Sequence, residues 1–326
     1  MRASATVFSA TDHALAPSPL IPATAQEVVT DNVNDDLMVK VNSLQSRYVS
    51  FSYEQSEAVV PSSLWHGTVK TLLDFEERND SVMGFLGREA GWSQEQCASR
   101  LSPEQCDAAA LIIDALKKES RSEREFPLYD EAGFGKGRIL MTTAAWCLKN
   151  GMIPVILTDS ANLFSNLWQD IQDIGCDGVF KRPFIMNNDV AIDNLNSPDG
   201  DVIFPKVSPK LHRETINNGD DLPDEFGCLM LTYSQLNTVP GKSVKVAYLE
   251  RLMKKHKCVL ICDESQNAIE VSSNTTANVD TLKALSYGSV DASATASRHV
   301  TNMASQRNVY RWLADRQLDL NMLSDE

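Results

Sequence analysis

Two stretches of this sequence hold residue types whose spacing could do chemistry. The first is Asp130-Glu-Ala-Gly133-Phe134-Gly135-Lys136-Gly137-Arg138. Glycines let a backbone turn tightly enough for successive amides to face phosphate oxygens. A helix opening at such a turn adds its positive end, and a lysine placed there reaches the terminal phosphates. The bland alternative is a glycine-rich surface turn. The second stretch is Cys258-Val-Leu-Ile-Cys262, an apolar strand that runs into Asp263-Glu264-Ser265-Gln266. A strand delivering two adjacent acids at its carboxyl edge can hold Mg²⁺ and orient a water. Asp263 would bind the metal, directly or through water, and Glu264 would polarise the water. Taken together and in this order, the two stretches read as a site for ATP with Mg²⁺.

Such a site works only if strands and helices present it, and the surrounding pattern supplies them. Phe126-Pro-Leu-Tyr129 reads as a short strand before the glycine-rich turn, and a helix is expected over 136–150, closed by Gly151. An apolar strand follows over 152–158, then a helix over 161–174. Upstream, Leu101-Ser-Pro-Glu-Gln105 carries the signals of a helix start. Ser102 can cap, Pro103 suits the first position and Gln105 completes a capping box, with Ala108, Leu111, Ile112 and Leu116 following at helical spacing. Downstream, strands are expected over 226–233, 258–262 and 289–295, with a helix over 244–256. Residues 178–225 form a long polar connection with short strands, 201–205 among them. Strands alternating with helices of ten to fifteen residues predict an α/β fold with a mostly parallel sheet covered on both faces. Residues 1–44, rich in Ala, Ser, Thr, Pro, Asn and Asp, read as a disordered tail. Residues 45–100 read as an accessory segment, with a helix over 63–77, that packs onto a domain spanning 101–326.

Composition narrows the function classes. The chain has 326 residues, 43% of them hydrophobic, and no apolar run long enough to span a bilayer. Thirty Lys and Arg against forty-four Asp and Glu leave a net charge of −14, which argues against binding nucleic acid over the whole surface and leaves room for a local basic strip. Lys242, Lys245, Arg251, Lys254, Lys255 and Lys257 are that candidate strip, with a solvated helix face as the plainer reading. The seven cysteines include no C-x-x-C pair and read as reduced, buried thiols. The five histidines offer no metal spacing, and the amino terminus lacks a secretory h-region. The expected location is cytoplasmic for a bacterial or phage protein, or nuclear for a eukaryotic one.

With the motifs in view, a resemblance emerges. Asp-Glu-x-Gly-x-Gly-Lys, Asp-Glu-x-Gln and Ser293-Ala-Thr295 are similar to motifs I, II and III of superfamily-two helicases and translocases. Within that superfamily the chain most resembles the strawberry-notch group and related phage and plasmid methylase-helicases. Gly-Lys-Gly-Arg at 135–138, Leu101-Ser-x-x-Gln105, Asp173-Ile-Gly175, Leu231-Thr-Tyr-Ser-Gln-Leu236 and Asn302-Met303 carry the likeness, with residues 48–68 resembling the segment before the helicase core. It spans roughly residues 48–305. The resemblance implies a RecA-like domain in which Gln105 reads adenine. Gly133, Phe134, Gly135, Lys136, Gly137 and Arg138 would line the phosphate cradle, and Asp263 and Glu264 would serve metal and water. Gln266 would couple the nucleotide to Ser293 and Thr295. Thr158, Ser160, Thr232 and Tyr233 would fall where nucleic acid, DNA in the first instance, touches the protein.

Two departures qualify that picture. Ordinary phosphate loops follow the lysine with Ser or Thr, whose hydroxyl ligates Mg²⁺, whereas Gly137 stands here. A translocase also needs a second RecA-like domain, whose arginines face the γ-phosphate. The roughly twenty residues after Met303 are too few to form one. The expectation is therefore the ATP-binding half of a nucleic-acid-dependent ATPase, completed by a second RecA-like domain in cis or in trans. A non-hydrolytic nucleotide-binding scaffold acting through a partner chain is the alternative, and an unrelated kinase is a weaker one.

Overall fold

Leu128, Ile156, Met230, Ile261 and other strand residues with no solvent exposure set the middle layer of the protein, so its strands must be covered on both sides. The computed structural model describes residues 5–7, 38–41, 44–130, 133–268 and 273–294. In chain order they form β1 (Ala5–Val7), β2 (Gln45–Arg47), β3 (Val59–Pro61), α1 (Ser62–Asn79), α2 (Val82–Ala90), α3 (Gln94–Arg100) and α4 (Pro103–Leu116). The alternating half follows as β4 (Glu125–Asp130), α5 (Lys136–Lys149), β5 (Ile153–Thr158), α6 (Leu163–Asp173), β6 (Arg182–Ile185), β7 (Ile192–Asp193), β8 (Val202–Phe204) and α7 (Pro209–Asn218). It closes with β9 (Phe226–Thr232), α8 (Val244–Lys255), β10 (Cys258–Cys262), α9 (Asn274–Leu285) and β11 (Gly288–Ser293).

The principal sheet has the order β1-β4-β11-β10-β5-β9-β6. Its six strands from β4 to β6 run parallel, and β1 pairs antiparallel at the edge. Side-chain parity sorts the apolar runs between two layers, because alternate residues of a strand face opposite sides. Val259 and Ile261 of β10 join Ile156, Met230 and the helix residues Ile112, Leu140 and Phe164 on one side. Cys258, Leu260 and Cys262 join Val155, Leu157, Leu231, Tyr248, Leu249 and Leu282 on the other. Helices α4, α5 and α6 therefore cover one face, and α7, α8 and α9 the opposite one. Truncating a fully buried residue such as Ile261 or Leu260 to Ala would cost about 2–5 kcal/mol by transfer and cavity terms together. The α/β class and the mostly parallel sheet are as the alternating pattern predicts, and the arrangement is compatible with a RecA-like fold.

Two details differ from the sequence reading. Ala5, Thr6 and Val7, inside the stretch read as a tail, pair with Asp130, Tyr129 and Leu128. A short segment of β-branched residues there meets an open strand edge, which composition averaged over forty residues conceals. The rest of residues 1–37 lies outside the described residues. The accessory segment, 45–100, packs onto the sheet and its helices, with a small cluster of its own around Val60, Trp65 and Val69. Tyr48, Leu72, Phe75, Val82 and Leu86 belong to the same apolar cluster as α4, α5 and the sheet. Within the polar connection, Arg182–Ile185 is a full parallel member of the principal sheet, a role that its four residues in a polar context hide. Residues 201–205 do hold a strand, β8, paired only with β7.

Candidate functional site

The glycine-rich loop connects β4 to α5 at the carboxyl edge of the sheet. Connections leaving β4 and β10 run to opposite faces, α5 on one side and α9 on the other. Gly133 and Gly135 both take positive φ, 86° and 75°. A side chain is disfavoured there, and at Gly135 there is also no room. A Cβ would overlap Gln105 Nε2 and stand 3.4 Å from its Cδ. The Gln105 amide is what shapes the loop. Its Nε2 donates to the Phe134 carbonyl at 2.9 Å, and its Oε1 accepts from the Ser102 N–H at 3.0 Å. Gln105 thus ties the start of α4 to the loop, and both ends of its amide already have protein partners. Phe134 anchors the same loop by packing against the main apolar cluster.

Lys136 opens α5 and is buried to 7% exposure, a depth lysine tolerates only beside compensating charge. Its charge acts on Asp263, which ends β10. The Asp263 N–H donates to the Leu157 carbonyl at 2.9 Å, so the acid is set by the sheet rather than by a loose loop. Burial, together with the Glu264 charge, pushes the Asp263 carboxyl up to about 6, while the Glu264 N–H and Lys136 pull the other way. Glu264 adopts a left-handed φ of 50°, unusual for a residue with a side chain, and such strain concentrates where a side chain must be aimed. Its Oε2 accepts from Gln266 Nε2 at 2.7 Å, and Gln266 Oε1 accepts from Ser293 Oγ at 2.5 Å. A hydrogen-bonded chain therefore runs from Glu264 through Gln266 to Ser293 at the end of β11, the link expected from the motif order. Thr295, the other member of that expectation, lies outside the described residues.

Two acids of α6 also reach the loop, and only the second of them belonged to a motif in the sequence. Arg138 donates to Asp173 at 2.7 Å and stands 3.7 Å from Asp170. Burial first, then the Asp173 and Asp263 charges, push Asp170 up to about 6, with Arg138 opposing. The signal that could have found Asp170 is its place one helical turn before Asp173-Ile-Gly175 and on the same α6 face.

The expected nucleic-acid residues divide. Ser160 is exposed. Thr158, Thr232 and Tyr233 are buried, and their hydroxyls are used internally. Thr158 Oγ1 donates to the Ser160 carbonyl, Thr232 Oγ1 meets Asn187 Nδ2 and Ser234 Oγ, and Tyr233 Oη donates to the Asp263 carbonyl at 2.9 Å. These side chains brace strand ends instead of facing solvent. The basic strip is largely spoken for too. Lys245 donates to Met186 and Gln235, Arg251 to Ile216, Gly219 and Asp220, and Lys255 to Asp221, while Lys254 pairs with Glu250. Beside it, a cavity of about 290 Å³ opens at the β6 edge, lined in part by Asn187, Asn188, His212, Arg213 and Lys245.

The remaining expectations are simple to place. All seven cysteines are free and buried. Trp65, Trp92, Trp146 and Trp168 are core residues, and Trp312 lies outside the described residues. Among the described residues no group of three or more His, Cys, Asp or Glu could hold a metal by itself. A cation here would have to share its shell with ligand oxygens, as Mg²⁺ does when bound through one or two carboxylates and substrate phosphates. Among those residues, too, no helix is long and apolar enough to cross a membrane. The chain matches no protein-family model and none of the curated proteins.

Proposed function

We propose that this chain is the ATP-binding half of a nucleic-acid-dependent ATPase of the superfamily-two, strawberry-notch-like kind, with a RecA-like domain that hydrolyses the β–γ bond of ATP with Mg²⁺. The observation that carries this reading is the convergence at one sheet edge of three features. They are a lysine buried at the start of α5 behind two positive-φ glycines, an Asp-Glu pair ending β10, and a hydrogen-bonded chain from that Glu to Ser293. The loop has room for a ligand, since a Cβ at Gly133 would meet nothing within 4 Å.

In this mechanism the loop amides and Lys136 receive the β- and γ-phosphates, where charge-assisted hydrogen bonds are strongest. Asp263 would hold the metal. Glu264 takes a proton from the attacking water, and Gln266 fixes the rotamer in which it can do so. Mg²⁺, when bound, neutralises charge on the transferred phosphoryl group. Ser293, bonded to Gln266, senses whether that arrangement is complete and transmits it to β11. An arginine from a second RecA-like domain, in cis or in trans, completes the site. DNA runs along the carboxyl edge, past exposed Ser160.

The test is calorimetric titration of ATP–Mg²⁺ into the wild-type chain and Lys136→Ala. Loss of charge-assisted bonds worth roughly 1.5–3 kcal/mol predicts about a ten- to hundredfold weaker affinity. Equal affinity would refute the phosphate-loop assignment.

A further inference from the structure

We propose that Asp170 takes the place of the hydroxyl that ordinary phosphate loops carry after the lysine, its carboxylate entering the space that Gly137 leaves and supplying, with Asp263, an oxygen ligand to the divalent cation. The inference rests on the nucleotide-site reading and adds a residue that reading lacks.

Gly137 is the second residue of α5, and its lack of a side chain is what admits Asp170. A Cβ there would overlap Asp170 Oδ2, stand 3.1 Å from its Cγ and touch Leu167 Cδ2 at 3.7 Å. The α6 turn 167–170 thus fills the volume in which a serine or threonine side chain would sit. The two carboxylate oxygens have different surroundings. Oδ1 lies 3.7 Å from Arg138 Nε, and Arg138 spends its closer bond, 2.7 Å, on Asp173. Among the described residues Oδ2, on the Gly137 side, accepts no hydrogen bond. The negative charge of Asp263 also acts on Asp170. Two carboxylates brought together from separate elements, one from α6 and one from β10, gain from a shared divalent cation what they lose by repulsion. Gly137 and Asp170 then form one device: the glycine removes one ligand and makes way for another of the same hard-oxygen class.

The experiment measures Mn²⁺ binding by electron paramagnetic resonance, on the full chain with a non-hydrolysable ATP analogue. Nucleotide affinity in EDTA is measured in parallel. Asp170→Asn keeps the shape and removes the charge. It is expected to weaken Mn²⁺ in the ternary complex ten- to hundredfold, while metal-free nucleotide binds as well or better because a negative charge near the phosphates is gone. A residue that merely packs α6 against α5 would not split the two readouts. Gly137→Ser alone should disrupt both, since its side chain collides with Asp170. The double variant Asp170→Ala with Gly137→Ser frees the space for the new hydroxyl and should recover Mn²⁺ binding to within about tenfold of wild type. Normal nucleotide binding by Asp170→Asn with unchanged Mn²⁺ affinity overturns this inference and leaves the nucleotide site standing. Failure of the wild-type chain to bind the analogue at all would overturn both. Metal-free nucleotide binding by Asp170→Asn and by the double variant also shows that those two have folded, and thermal unfolding shows it for Gly137→Ser.

Discussion

Replacing Gly135 and, separately, Gly133 with alanine tests the loop with a built-in control. Both glycines have left-handed φ, 75° and 86°, so each alanine carries a similar backbone cost of roughly 1–2 kcal/mol. Their surroundings differ. A Cβ at Gly133 has open space, whereas one at Gly135 collides with the Gln105 amide and must expel it from its 2.9 Å bond to the Phe134 carbonyl. That lost bond, with a carbonyl left to find water, adds about 0.5–1.5 kcal/mol, more if the Ser102–Gln105 contact goes as well. Gly133→Ala should therefore weaken ATP about five- to thirtyfold, and Gly135→Ala a further threefold to tenfold. Because the Gln105 bridge also holds the start of α4, Gly135→Ala alone should lower the thermal midpoint by several degrees. Calorimetry and thermal unfolding of the two variants read both effects. If both variants lose the same affinity and the same stability, Gln105 does not shape the loop and the account of it above is wrong.

Three further outcomes follow from other parts of the structure. Asp107 is fully buried, and burial pushes its carboxyl up to about 7 despite hydrogen bonds from Tyr48 Oη and the Phe51 N–H. A raised folded value favours the protonated acid. Its contribution to stability is therefore complete below about pH 4 and lost as pH rises to about 7, up to about 4 kcal/mol at 1.36 kcal/mol per unit. Asp107→Asn should remove that part of the slope in urea melts between pH 4.5 and 8, and an unchanged slope would show that Asp107 does not titrate in this range. Gln266→Glu puts a carboxylate beside Glu264 Oε2 and abolishes the 2.7 Å donation. ATP binding should stay within about threefold of wild type, since the phosphate cradle is untouched. Hydrolysis in the completed motor should fall tenfold or more, for a loss of about 1.5–3 kcal/mol at the water-activating acid. Under the proposed function, adding a second RecA-like domain, in cis or in trans, should speed ATP turnover by orders of magnitude, because an arginine at the γ-phosphate is worth roughly 10³–10⁵ in rate, and without that domain turnover should be very slow. Phosphate release above about one per second would contradict that requirement.

Much of the positioning was legible in sequence because buried parallel strands leave continuous apolar runs. Cys258–Cys262 and Ile153–Thr158 stand out for that reason, and the acids that follow the first mark the edge of the candidate site. Gln105 was legible as a capping residue, and its bond to Phe134 shows why the same side chain also matters 29 residues later. What stayed hidden has a common cause, which is pairing between elements far apart in sequence. Arg182–Ile185 looks polar until β9 covers its edge, and Tyr233 looks like a surface aromatic until its hydroxyl meets the Asp263 carbonyl. Asp170 has only its spacing from Asp173 to set it apart from other helix acids. Only the packing of α6 on α5 brings it to Gly137.

The charges around the loop also constrain how a nucleotide would enter. The Lys136 charge acts on Asp263, whose neighbour Glu264 and Asp170 of α6 add further negative charge, while Asp173 is neutralised by Arg138 at 2.7 Å. One lysine and the α5 dipole stand against three carboxylates, so a triphosphate arriving without metal meets net repulsion in a partly buried site of reduced dielectric. The same carboxylates become an asset once a divalent cation bridges them to the phosphates. Nucleotide and metal are then mutually dependent ligands, each improving the site for the other by the same factor. An ordinary loop with a neutral hydroxyl after its lysine presents one negative charge fewer and couples the two less strongly. The exchange of that hydroxyl for glycine and a distant aspartate is thus more than a tolerated variation. Under the proposed function it would make occupancy of the loop a joint reading of ATP and Mg²⁺, with the Gln266–Ser293 chain placed to pass that reading to the neighbouring strand.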